Sequence, residues 1–244
     1  MNELLVINPN TSTAVTALLR EHVQAELGLQ VRVRALTARF GAPYIIDEAS
    51  YAVAAHATLD TWAAALAQAD TAPQAVLVGC FGDPGLLALR ESSPVPVTGL
   101  AEAAFIEAAR HGRFAVVTGG ERWAPMLRRL AHMLGHADNL AGIETVAPTG
   151  ADLASDPAGA RTLLLQACRD AVQKFEARSV ILGGAGLAGI AAMLQPELEV
   201  PIIDSVRAGA RWAVRAPPTA APRAEPGFDV RWGQVSPELA ALGR

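Results

Sequence analysis

Residues 76–86 read VLVGCFGDPGL, and residues 180–190 read VILGGAGLAGI. Four of the eleven aligned positions are identical: Val76/Val180, Gly79/Gly183, Gly82/Gly186 and Gly85/Gly189. The relation continues on both sides. Val95-Pro96-Val97 corresponds to Val200-Pro201-Ile202, and LLVINPNTST (4–13) corresponds to FAVVTGGERW (114–123). Three elements thus recur in one order at offsets of 104 to 110 residues. A period that long marks a duplicated half, not a short solenoid repeat. Two such halves facing each other make a cleft of approximate two-fold symmetry, with Cys80 and Gly184 as mirror positions. One face of a bound substrate then meets a thiol, and the other meets a residue with no side chain.

Outward from these loops, short runs of Val, Ile and Leu alternate with alanine-rich stretches. Strands are expected at 3–8, 30–36, 75–80, 95–98, 113–118, 142–146, 178–183 and 200–203. Each is a continuous apolar run, the pattern of a parallel sheet buried on both faces. Helices are expected at 11–27, 46–69, 84–91, 101–111, 121–135, 157–176, 186–194 and 205–215. This alternation predicts an α/β fold with a parallel sheet in each half. The expected organisation is two pseudo-symmetric Rossmann-like domains, 1–97 and 98–206, with the helix 205–215 returning to the first. From Ala216 the chain holds five prolines in 29 residues, which excludes a long helix or a central strand. Residues 216–244 read as a Pro/Ala-rich tail, extended over 216–230. Its SPELAAL stretch (236–242) forms a short helix, with Ser236 as N-cap and Pro237 at the first helical position.

Hydrophobic residues make up 51% of the 244, enough for a sizeable core, while charged residues are sparse at 18%. The net charge of −4 gives no signal for a polyanion, and no basic, aromatic-studded stretch points to nucleic acid. No apolar run approaches the ~18 residues of a membrane span. The N-terminus enters a strand at once, so no signal peptide is expected, and the expected location is cytoplasmic. Cys80 and Cys168 are far apart in unlike contexts, which predicts neither a disulfide nor a zinc site.

In parallel α/β sheets, ligands bind beyond the carboxyl ends of the strands. Four loops fall there: Asn8–Ser12, Cys80–Gly85, Thr118–Arg122 and Gly183–Gly186. Most run into a helix, so they offer free amides and the positive end of a helix dipole to an anion. The substrate-binding candidates are Asn8, Asn10, Thr11, Ser12, Tyr44, Phe81, Gly82, Thr118, Gly119, Gly120, Gly183, Gly184, Ala185 and Gly186. The string GGAGLAG contains G-x-G-x-x-G (Gly184, Gly186, Gly189), a weak nucleotide signal with no counterpart in the first half. Cys80 precedes Asp83-Pro84, a good N-cap and N1 pair. A thiol at such a helix start is expected to have a lowered pKa. Cys168, in LLLQACRDAV, reads as mid-helix packing. Asp204 reads as the N-cap of the helix that follows it. The five histidines read as structural.

These loops resemble the aspartate/glutamate/hydantoin racemase superfamily, most closely its hydantoin and allantoin racemase branch. INPNTS (7–12), GCFGDPGL (79–86), GLAEAA (99–104) and ILGGAGLAG (181–189) carry the resemblance, in that family's order and spacing, over roughly residues 1–215. It implies a pseudo-symmetric two-domain fold without metal or organic cofactor. It also implies two cysteines on opposite faces of a carbon acidified by a carbonyl. Cys80 matches the first of these, and Gly184 stands where the second would be. With VVTGGERW, the double-glycine version is similar to a subgroup labelled hydrogenase expression proteins.

The resulting expectation is a cofactor-independent racemase-family isomerase. Its substrate is a small anionic or imide molecule, meaning a hydantoin, ureide or amino-acid-like carboxylate, and Cys80 is its proton donor or acceptor. A homo-oligomer is expected. Two alternatives stand beside it: a single-cysteine decarboxylase of a malonate-type acid, and a catalytically inactive binding or accessory protein. Isotope exchange and release of CO₂ separate the three.

Overall fold

The computed structural model describes residues 2–69, 72–147, 152, 157–215 and 223–244. Its strands are β1 (Asn2–Asn8), β2 (Val31–Thr37), β3 (Ala75–Val78), β4 (Val97–Gly99), β5 (Phe114–Gly119), β6 (Leu140–Val146), β7 (Ser179–Gly183) and β8 (Ile202–Asp204). They form two parallel sheets of four, in the orders β2-β1-β3-β4 and β6-β5-β7-β8. The second order is the first with four added to each strand. All eight expected strands are present, and the fold is α/β.

The registers carry the repeat to single residues. Leu5 pairs with Val76 as Ala115 pairs with Val180. Val76 pairs with Val97 as Val180 pairs with Ile202. The Val76 amide donates to the Pro96 carbonyl at 2.9 Å, and the Val180 amide to the Pro201 carbonyl at 2.9 Å. The side chains of β3 and of the inner part of β1, β5 and β7 are buried. Each fully buried Leu or Ile is worth about 1.5–3 kcal/mol, so these continuous apolar runs drive the assembly.

The helices are α1 (Thr13–Leu27), α2 (Glu48–Ala67), α3 (Leu86–Ser92), α4 (Leu100–Ala109), α5 (Trp123–Met133), α6 (Pro157–Phe175), α7 (Ile190–Leu194), α8 (Ser205–Ala213) and α9 (Pro237–Ala241). The helices that follow the fourth strand of each sheet join the halves. Helix α4 packs on α8 and reaches β7 and β8, while α8 packs on α1, β3 and β4.

Of the boundaries that differ from expectation, three bear on the loops, and two of the three trace to glycine. Strand β3 stops at Val78, so Gly79 and Cys80 lie in the loop, where the Gly79 amide donates to the Ile7 carbonyl at 2.7 Å. Helix α3 begins at Leu86 and not at Pro84, because Gly85 adopts a left-handed turn with φ +81°. The expected helix 186–194 divides into a 3₁₀ turn, Ala185–Leu187, and α7, broken by Gly189 at φ +82°. The end of the chain folds back onto α2, with Ser236 capping α9 and Leu239 buried. Arg39 bridges Asp60 and Glu238 there. Residues 216–222, the start of the expected tail, lie outside the described residues. No helix among the described residues is long and apolar enough to cross a membrane.

A Cβ added at Gly99 would land on the Asp83 carboxylate. Overpacking of this kind typically costs about 1–3 kcal/mol. Gly99→Ala is therefore expected to lower Tm by roughly 2–10 °C for a chain of this size, measured by calorimetry. An unchanged Tm would show that the Asp83 contact is not tight.

Candidate active site

The loops at the carboxyl ends of the two sheets meet in one cleft, with about 560 Å³ of empty space including its open mouth. Asn10, Tyr44, Cys80 and Phe81 come from the first sheet, and Thr118, Gly119, Gly183, Gly184, Ala185 and Gly186 from the second. These ten sequence candidates share the cleft. The two walls touch directly, since a side chain at Gly183 would strike the Phe81 ring.

Asn8, Thr11, Ser12, Gly82 and Gly120 do not line it. Asn8 is fully buried, and its side-chain amide donates to Asn10 Oδ1 (2.8 Å), the Ser12 carbonyl (3.0 Å) and Thr16 Oγ1 (3.0 Å). It shapes the loop from behind. Ser12 caps α1 by accepting from the Val15 amide, and the Thr11 amide donates to the Ala42 carbonyl. The Gly120 amide donates to the Val146 carbonyl, and the Gly82 carbonyl accepts from Tyr51 Oη at 2.8 Å. The expected anion contacts from Asn10–Ser12 and Gly120 are thereby corrected. The Asn10 and Ser12 amides already donate within the loop, to Asn8 Oδ1 and Asn10 Oδ1.

What the cleft does offer is more selective. The amides of Cys80, Phe81, Ala185 and Gly186 find no acceptor among the described residues, and all four residues line the cleft. Asn10 is 6% exposed, and its Oδ1 is held by Asn8 and Ser12. Its Nδ2 is thus left as a donor toward the cleft. The Thr118 hydroxyl is likewise without a partner among the described residues, and it occupies the position that Asn8 holds in the first half. Among the described residues, the lining contains no Lys, Arg, His, Asp or Glu.

The Cys80 thiol is corrected in sign. It was expected below the usual thiol range, but burial first, and then the nearby Asp83 charge, push it up. The helix start that was to lower it is absent at Asp83. That residue has φ +53°, and its carboxylate turns away to accept from the Ala101 amide at 2.9 Å and the Glu102 amide at 2.8 Å. Asp83 thus caps the first turn of α4, not α3. Burial pushes the Asp83 carboxyl up to about 7, while these amides pull the other way. Cys168 is fully buried on α6, and burial pushes it up to about 12, in keeping with a packing role.

Sequence reasoning missed Val15, Ile45, Gly79, Trp123 and Leu187, all in the lining. Trp123 ends the repeated FAVVTGGERW stretch, and its ring fills the space beside Gly82 and Gly120. An aromatic that close to a glycine pair was a usable signal. The aliphatic three had none. Asp204 caps α8 as expected, through the Val206 and Arg207 amides. No group of three potential metal ligands occurs among the described residues.

A family model described as Asp/Glu/Hydantoin racemase matches residues 4–213. The chain belongs to this family. It is 33% identical over 211 residues to a hydantoin racemase of Paenarthrobacter aurescens, covering 86% of this chain and 89% of that one. Among solved structures, an allantoin racemase from Klebsiella pneumoniae is 32% identical, with a TM-score of 0.81 over 88% of this chain and 86% of that one. An arylmalonate decarboxylase shares the fold at 18% identity, with a TM-score of 0.61 over 87% and 91% of the two chains.

Cys80 borders the cleft and Cys168 does not, so native labelling by iodoacetamide is expected at Cys80 first. Its rate should rise about tenfold per pH unit from roughly pH 7 to 9, because only the thiolate reacts and the thiol is held protonated. Peptide mapping by mass spectrometry reads both. Equal labelling of Cys168 in the folded protein would overturn the assignment.

Proposed function

We propose that the protein is a cofactor-independent isomerase-family enzyme that moves a proton at a carbon next to a carbonyl, with Cys80 as the proton carrier. Its substrate would be a small hydantoin, ureide or amino-acid-like carboxylate. The observation that carries this reading is the meeting of the Cys80 thiol and four unpartnered loop amides in one cleft. The relatives named hydantoin and allantoin racemase support it. In the step itself, the Cys80 thiolate takes the α-hydrogen as a proton. The C–H electron pair moves into the carbonyl, and the enolate oxygen is held by amides. Preorganised donors aimed at a developing oxyanion are commonly the largest single catalytic contribution. The enolate then recovers a proton and the carbonyl reforms.

A second reading draws on the protonation state of the thiol. Burial keeps Cys80 in its S–H form, which suits a donor. In a malonate-type acid, loss of CO₂ leaves an electron pair on the α-carbon. The thiol then delivers its proton, and water restores the thiol. This lyase needs one acid only.

Deuterium uptake in D₂O, followed by NMR on hydantoins and allantoin, tests the first reading, and CO₂ release from substituted malonates tests the second. Cys80→Ser is expected to lower either rate by ~10²–10⁴-fold, the usual worth of positioned acid–base catalysis. Uptake should climb with pH through neutrality, because deprotonating the raised thiol makes the base. A wild-type rate matched by Cys80→Ser would remove Cys80 from the chemistry.

A further inference from the structure

We infer that the cleft transfers protons at one face of its substrate only, exchanging the α-hydrogen of one enantiomer with retention and inverting it far more slowly. This rests on the reading of Cys80 as the proton carrier. It departs from what the names of the relatives lead one to expect of this chain.

The repeat places Cys80 and Gly184 at equivalent points on the two walls of one cleft. At Gly184 there is no side chain, and a Cβ there would lie 3.5 Å from Leu187 Cγ. Leu187 is 2% exposed and lines the cleft. The second wall therefore presents an aliphatic surface where the first presents a thiol. An efficient acid or base should have a pKa near the working pH. Of the other polar side chains in the lining, Tyr44 and Asn10 come from loops of the first sheet, and the Trp123 indole N–H is a donor only. The Thr118 hydroxyl is on the second wall, but an aliphatic alcohol is far too weak an acid and too weak a base.

Two titratable groups pack behind the second wall without reaching the cleft. His22 lies against Gly189, and neither residue is in the lining. The Asp204 carboxylate is held by the amides of Gly189, Val206 and Arg207. Val15, Ile45 and Leu187 make much of the lining apolar. Inversion through Cys80 alone would require the enolate to turn over inside the cleft or to leave it.

The test uses wild-type protein and each enantiomer of 5-isopropylhydantoin and of allantoin in D₂O. NMR follows α-deuteration, chiral chromatography follows optical purity, and a protein-free control supplies the background. The expected result is deuteration of one enantiomer of a responding compound, at least ~100-fold faster than its optical purity is lost above background. That enantiomer-specific signal should disappear in Cys80→Ser. Optical purity lost at a rate comparable to deuteration would overturn the one-face inference while upholding Cys80 as the carrier. Exchange of both enantiomers at similar rates would overturn it as well. No exchange of any of the four compounds above background would count against the isomerase reading itself, and the inference would fall with it.

Discussion

The cleft depends on one buried contact, the Asp83 carboxylate over the first turn of α4. Asp83 lies three residues past Cys80, and its two oxygens accept from Ala101 and Glu102 at 2.9 and 2.8 Å. The carboxylate fits only because Gly99 leaves its side-chain space empty. Helix α4 in turn packs on α8 and on β7 and β8 of the other sheet. The loop that carries the thiol is thereby tied to the helix that joins the two halves. The second half makes the same tie from the opposite end. Under the repeat, Asp83 becomes Leu187 and Gly99 becomes Asp204. The carboxylate now comes from the strand end, capping α8 and reaching back to the Gly189 amide at 2.7 Å. That exchange frees position 187 to carry an aliphatic side chain into the cleft. The two walls differ in chemistry for a structural reason, not only because one cysteine is absent.

The same burial sets the electrostatics. Transfer of a charge from water costs several kcal/mol unless it is paired or hydrogen-bonded. Glu102 meets that demand with Arg90 at 2.6 Å and the Thr98 hydroxyl at 2.8 Å. Asp83 has amides instead, and burial still pushes its carboxyl up to about 7. Its charge, added to the burial of Cys80, favours the neutral thiol. With no Lys, Arg or His among the described residues of the lining, a negative intermediate would be met by backbone amides, which carry fixed dipoles and need no counter-charge.

Much of this was legible in the sequence because the signals are local. Continuous Val, Ile and Leu runs named the eight strands, and recurring glycines named the duplicated loops. Ten of the cleft residues followed from loop position alone. What escaped depends on partners distant in the chain. Asp83 reads locally as a cap for α3, yet its amides lie eighteen and nineteen residues on. Asn8 and Asn10 read as polar loop residues facing a ligand, yet Asn8 turns inward and closes the loop's own amides. The thiol looked activated because a helix start was expected beside it. Gly85 removed that start, and burial, with the nearby Asp83 charge, raised the thiol instead.

The paired glycines of the second loop are glycines for unlike reasons, and the difference bears on how far this cleft lies from a symmetric one. Gly183 has no room, because the Phe81 ring from the opposite wall sits where its Cβ would be. Gly184 has room, since its Cβ would meet Leu187 only at ordinary contact distance. Its constraint is the backbone: φ is +144° and ψ 134°, a conformation that side-chain-bearing residues rarely adopt, with its amide donating to Ser205 Oγ at 3.3 Å. A second thiol at 184 would therefore fit the space but not the loop. To hold one, the chain from Gly183 to Leu187 would have to turn differently, releasing Ser205 at the start of α8. The aliphatic wall and the glycine conformation thus support one another.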